Sequence, residues 1–221
     1  MNYFAHGRDY VDSPYFLAGT AVPDWLSVVD RRMRVRGKTA ATFVDDPDPR
    51  QAFLAAGVVQ HHEDDRWFHQ TRAFVELSAW FSHRLRTLLE DDVGFRPSFL
   101  GHILVELLLD AELIRAEPAR LDAYYEAFEK IDVPFLEAGI NRMATRTSDR
   151  LVELIPRFCR ERFLYDYGED DSLLLRLNHV MRRVGLPLLP AAVAEFFPEA
   201  RRQVRQRQSE LMYRPSLIDL R

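Results

Sequence analysis

Along this chain apolar residues recur at intervals of three and four rather than two, with polar residues between them, so the pattern predicts helices throughout. Phe53, Leu54, Val58 and Trp67 keep that period, and Asp48 stands as an N-cap ahead of Pro49 at the first helical position, which predicts a helix over 49–69. Phe74, Leu77, Phe81, Leu85 and Leu88 carry the pattern over 74–89, with the polar stretch His69-Gln70-Thr71 as a bend between the two. Glu90 to Pro97 breaks it. Ser98 is then expected to cap a helix from Phe99 to Ile114, apolar on nearly all sides and therefore central and buried. Pro118, Pro134, Pro156 and Pro187 punctuate further helical patterns over 118–130, 133–146, 148–165 and 170–184, and a last one runs over 190–212. The segment 35–48, VRGKTAATFVDDPD, reads as a surface loop or a mobile lid.

These elements make an all-α fold of about eight helices, with a metal site expected between core helices. At 221 residues the chain suits one domain over 1–221, and 47% apolar with 12% aromatic residues supplies a core. No run approaches the roughly 18 apolar residues of a membrane span. The opening MNYFAHGRDY carries charge where a leader would be apolar, so a cytoplasmic protein is expected. Cys159 is the single cysteine, which excludes an intrachain disulfide and a thiolate cluster. Any metal must then rest on histidine and carboxylate, the donors of Zn, Mn and Fe. A net charge of -4 gives no footprint for nucleic acid. The basic runs RRMRVR at 31–36 and RRQVRQR at 201–207 could touch phosphate but read first as solvated faces.

The helix over 99–114 nevertheless holds His102, Glu106 and Asp110, spaced by four and so on one face. Buried charge needs a partner. The helix over 49–69 repeats the spacing with His61, Asp65 and His69, and two such stripes facing each other would gather imidazoles and carboxylates in the manner of metal-binding helical bundles. The plain alternatives are a solvated charged run for HHEDDR, a reading that suits His62, Glu63 and Asp64, and a metal-free His–Glu hydrogen bond for His102 and Glu106. Asp24 follows a proline and precedes an apolar run, so by itself it reads as an N-cap. His83 and His179 lie off both stripes.

The segments MNYFAH, LAGTAVPDWL, AAGVVQHHEDDRWFHQ and HILVE together resemble the acyl carrier protein phosphodiesterase family, and the resemblance extends to FLYDYGEDDSLLLRLNHVMRR at 163–183. The order His, Asp, His-x-x-x-Asp, His-x-x-x-Glu is also similar to that of zinc-dependent phospholipase C. Both are all-α metallohydrolases acting on phosphodiesters. The resemblance implies that His6 and Asp24 join His61 and Asp65 around the metal, in place of the N-cap reading of Asp24. The chain departs from the family in carrying His62 and Glu63 where basic residues are expected, and His102 where an acidic one is.

The expected activity is hydrolysis of a phosphoric ester with one or two divalent ions, Mn, Zn or Fe. The expected ligands are His6, Asp24, His61, Asp65, His102 and Glu106, with Asp110 behind them. Asp64 and His69 are the candidates for proton transfer, and Arg182 or Arg183 for holding the phosphate. The resemblance implies a phosphopantetheinyl carrier protein as the partner that bears the ester. The rival readings are a non-catalytic helical module whose metal fixes packing, and a di-iron bundle, whose Glu-x-x-His spacing is absent here.

Overall fold

The computed structural model describes residues 1–89 and 94–214, and among these it is all-α with no strand. The helices are α1 (Tyr3–Gly7), α2 (Pro14–Val29), α3 (Gly37–Ala40), α4 (Pro49–Phe68), α5 (Arg72–Leu88), α6 (Pro97–Ala116), α7 (Pro118–Glu129), α8 (Val133–Met143), α9 (Leu151–Glu161), α10 (Asp170–Val184), α11 (Phe197–Gln206) and α12 (Gln208–Leu211), joined in places by 3-10 turns. No described helix is long and apolar enough to cross a membrane. Part of the expected break at Glu90 to Pro97 lies outside the described residues.

Local chemistry sets most helix starts. The Asp48 carboxylate accepts the Arg50 amide at 2.9 Å and starts α4, and Thr71 accepts the Phe74 amide at 3.2 Å and starts α5. Gly185, at φ 74°, ends α10 in the left-handed conformation that glycine adopts without strain. Ser98 is not the cap of α6, because Pro97 already occupies the first helical position and supplies the preset φ there. The expected helix over 190–212 is instead a 3-10 turn at 191–196 followed by α11 and α12, and the segment 35–48 contains α3. The period missed α1 and α2. In α2 the apolar residues run almost all round, with Pro23 inside the helix, so no amphipathic phase marks it and Asp24 stands in its interior rather than at an N-cap.

The chain divides into two compact units, one formed by Met1–Asp65 and Glu117–Phe163, the other by Arg66–Ala116 and Leu164–Arg221. In the first, Trp25 of α2, Phe128 of α7 and Phe158 of α9 meet edge to face at centroid separations of 5.3–5.5 Å, all nearly or wholly buried. In the second, α5 and α6 pack closely at Gly101, where a Cβ would fall 2.6 Å from the Ser78 carbonyl oxygen. Glu112 of α6 is buried and takes a two-point contact from Arg205 at 2.8 and 3.0 Å and one from Arg115 at 2.9 Å. Burial would raise its carboxyl pKa, but these guanidinium bonds hold it below the usual range.

The closest approach in the first unit is between α2 and α4. A Cβ at Gly19 would fall 2.8 Å from the Gly57 Cα, and a Cβ at Gly57 would fall 2.9 Å from the Gly19 Cα and closer still to the Phe16 carbonyl. Only two glycines allow the backbones to touch. Gly57→Ala is therefore expected to cost about 3 kcal/mol through forced separation of the helices, read as a lower midpoint in chemical denaturation. Gly168→Ala, where a Cβ meets nothing within 4 Å, should leave the midpoint nearly unchanged.

Candidate metal centres

Histidine and carboxylate ligand atoms converge in two groups, His6 with His61 and Asp65, and His69 with His102 and Glu106; within each group they lie within 4.8 Å of one another. The first group belongs to the first unit and the second group to the second. The stripe His61, Asp65, His69 is thus divided between them. α4 ends at Phe68, and His69 lies in the turn that follows it.

In the first group, the contact of Gly19 with Gly57 places the next turn of α4 against α2, so that His61 Nδ1 reaches the Thr20 carbonyl at 2.8 Å. A carbonyl only accepts. Nδ1 therefore carries the proton, and the lone pair is on Nε2, which points to Asp65 Oδ2 at 3.5 Å. His6 is fully buried on α1, and its Nδ1 lies 3.4 Å from Asp64 Oδ2. Gln60 Nε2 donates to the other Asp64 oxygen at 2.7 Å and fixes that carboxylate. The two imidazoles stack, with centroids 4.0 Å apart and planes 24° apart. Their Nε2 atoms converge on Asp65, whose Oδ1 is 3.3 Å from His6 Nε2 and accepts the Met1 amino group at 2.7 Å.

The fit to a cation rests on one atom. His6 Nε2 is buried and has no hydrogen-bond partner, although Asp65 Oδ1 is close, because the two are not aligned for a bond. A buried polar atom left this way costs about 1–3 kcal/mol, and a divalent cation bound to it, to His61 Nε2 and to Asp65 would remove that cost. The far side of each ring is already tied to an oxygen acceptor, which is how proteins orient metal-binding imidazoles. Burial would raise the Asp65 pKa, but its surroundings, the Met1 amino group at 2.7 Å among them, hold it far below the usual carboxylate range. It is ionised and ready to bind.

The second group differs. His69, fixed in the turn after α4, and His102 both bring Nε2 to the same oxygen, Glu106 Oε1, at 2.9 and 3.2 Å. Burial would raise the Glu106 pKa, but its surroundings, the contacts of His102 and His69 among them, hold it below the usual range. The His102 side chain is 40% exposed, so the apolar character of α6 does not keep it from water. His69 Nε2 makes a hydrogen bond to Glu106 Oε1, and His102 Nε2 stands in ion-pair contact with the same oxygen, so neither imidazole of this group is left without a carboxylate. The spacing of four gathers both stripes into one expected site, while the geometry favours the first group as the place for a cation.

The other expected residues fall outside both groups. Asp24 sits on α2 one turn beyond Thr20, and Asp110 is fully buried one turn beyond Glu106. Asp64, expected to take a proton, faces His6 Nδ1 and orients that ring. Arg182 and Arg183 are exposed on the last turn of α10 in the second unit. Sequence reasoning missed Thr20 and Gln60. The signal available for Thr20 was its glycine neighbour, paired with the glycine four residues before His61.

A titration with Co(II) followed by its visible absorption tests this ranking. The tight phase should vanish in His61→Ala, weaken by about 10–100-fold in Asp64→Asn, and persist in His102→Ala. Loss of the tight phase in His102→Ala alone would reverse the ranking. No protein-family model, curated protein or solved structure matches the chain, so its function is argued from its own residues.

Proposed function

We propose that this protein is a metal-dependent phosphoric ester hydrolase acting on phosphodiesters at His6, His61 and Asp65. The observation that carries the reading is the buried His6 Nε2, which lacks a hydrogen bond and converges with His61 Nε2 on an ionised carboxylate. Three protein ligands leave positions for water and substrate, as in catalytic rather than structural sites. The Asp65 side chain is 32% exposed while both imidazoles are buried, so the group has an open side next to the carboxylate. This supports an enzyme over a helical module whose metal only fixes packing.

A divalent ion held there would polarise a phosphoryl oxygen and bring a bound water to a pKa of about 7. The residues of the chain do the positioning. Thr20 holds the His61 tautomer, Asp64 and Gln60 hold His6, and the stacked rings keep both Nε2 lone pairs directed at one point. Because His6 and His61 are buried, water approaches only from the Asp65 side. The phosphodiester class, and a phosphopantetheinyl carrier protein as bearer of the ester, are supported by the resemblance of the motifs that contain His6, His61, Asp65 and Glu106. Mn, Zn and Fe all suit the donor set of two imidazoles and a carboxylate.

The test is a measurement of bound metal in the purified protein together with hydrolysis of bis-p-nitrophenyl phosphate in Mn, Zn and Fe. Turnover with at least one ion is expected, falling by about 10³-fold or more in His61→Ala and in Asp65→Asn, with helical content unchanged by circular dichroism. An absence of metal and turnover in a protein whose His61→Ala variant folds normally would remove the enzyme reading.

A further inference from the structure

The second group keeps donor capacity that its own contacts do not use. His69 Nε2 donates to Glu106 Oε1 at 2.9 Å, whereas His102 Nε2 faces the same oxygen at 3.2 Å but is not aligned for a hydrogen bond. Neither ring has a protein hydrogen bond at Nδ1 among the described residues. This is unlike His61, whose Nδ1 proton is tied to the Thr20 carbonyl. The His69 and His102 side chains are 32% and 40% exposed, so water is at hand for a proton carried on Nδ1. A neutral imidazole that moves its proton there presents the Nε2 lone pair, and only the His69–Glu106 bond is given up.

The rings are also held in place. Both pack on Phe74, at centroid separations of 4.8 and 4.9 Å, and lie 4.8 Å from each other. Phe74 is buried in the first turn of α5, where Thr71 accepts its amide. The Thr71 hydroxyl in turn donates to the Phe68 carbonyl at 2.9 Å, which fixes the turn that carries His69. The Glu106 side chain is only 12% exposed, and its carboxyl stays ionised. Two imidazole nitrogens and a carboxylate oxygen thus stand within 4.8 Å of one another on firm supports. Such a donor set suits Zn(II), Co(II) and Cu(II) over Mg(II) and Ca(II).

We infer that His69, His102 and Glu106 form a second cation site, separate from the first group and weaker, which takes an imidazole-preferring divalent ion such as Zn(II) through both Nε2 atoms and the Glu106 carboxylate. The ion displaces the His69–Glu106 hydrogen bond, while His6 Nε2 in the first group has no bond to give up. Binding about 10- to 100-fold weaker than at the first group follows. The ligands come from the turn after α4 and from α6, so a bound ion joins the two. The inference concerns binding alone and does not depend on the hydrolase reading.

The probe is Zn(II) alone, equilibrated by dialysis with the intact protein at neutral pH. Two equivalents are expected to fill in separate steps. His102→Ala and Glu106→Gln should each remove the weaker step and keep the tighter one, and His61→Ala should do the reverse. Replacing the exposed His83 and His179 together by alanine should leave both steps in place. Nitrogen NMR of the unaltered protein supplies a readout that needs no variant, since the second equivalent should move the Nε2 resonances of His69 and His102. Filling by a single equivalent, survival of the weaker step in His102→Ala, its loss in the His83 and His179 variant, or unmoved Nε2 resonances would each overturn the inference. Absence of bis-p-nitrophenyl phosphate turnover with both steps present would remove the hydrolase reading alone.

Discussion

The first unit depends on the contact of two glycines. Where α2 and α4 touch at Gly19 and Gly57, neither position has room for a Cβ, and the residue after Gly19 and the residue four after Gly57 become partners. That partnership, His61 Nδ1 to the Thr20 carbonyl, decides which nitrogen of His61 keeps a lone pair. Pro23 lies in the same stretch of α2 and contributes no amide hydrogen to the helix ladder, so packing rather than propensity keeps this part of the helix in place. A larger residue at either glycine would move the ligand before it unfolded the unit.

The group around Asp65 combines features that are unfavourable separately. Two imidazoles are buried face to face, a carboxylate is partly withdrawn from water, and one ring nitrogen has no hydrogen bond. Such a set is costly without a positive charge among the lone pairs. The Met1 amino group answers Asp65 from one side, and the convergence of both Nε2 atoms leaves the same demand on the other. The second group meets its needs internally, with one glutamate oxygen serving both histidines.

What the sequence made legible follows from what periodicity can encode. The start of α4 was visible because Asp48 and Pro49 precede apolar residues at helical spacing, the break before α5 because His69-Gln70-Thr71 is polar, and the pairs His61–Asp65 and His102–Glu106 because a spacing of four puts them on one face. The grouping was not visible. It depends on α4 ending at Phe68, on a backbone carbonyl at Thr20, and on a five-residue helix that buries His6, none of which has a periodic signature. Asp24 was read as a cap because a proline often opens a helix, whereas here the proline is internal and the helix had already begun at Pro14. His6 entered only through a resemblance, since a lone histidine near a terminus carries no spacing.

The central claim is that His6 and His61 present their Nε2 atoms, with Asp65, to one cation. X-ray absorption at the cobalt edge of the His102→Ala variant loaded with one equivalent of Co(II) tests it most directly, because the second group is then broken. The account predicts the multiple-scattering pattern of two imidazoles with oxygen ligands completing the shell. An all-oxygen shell would contradict it.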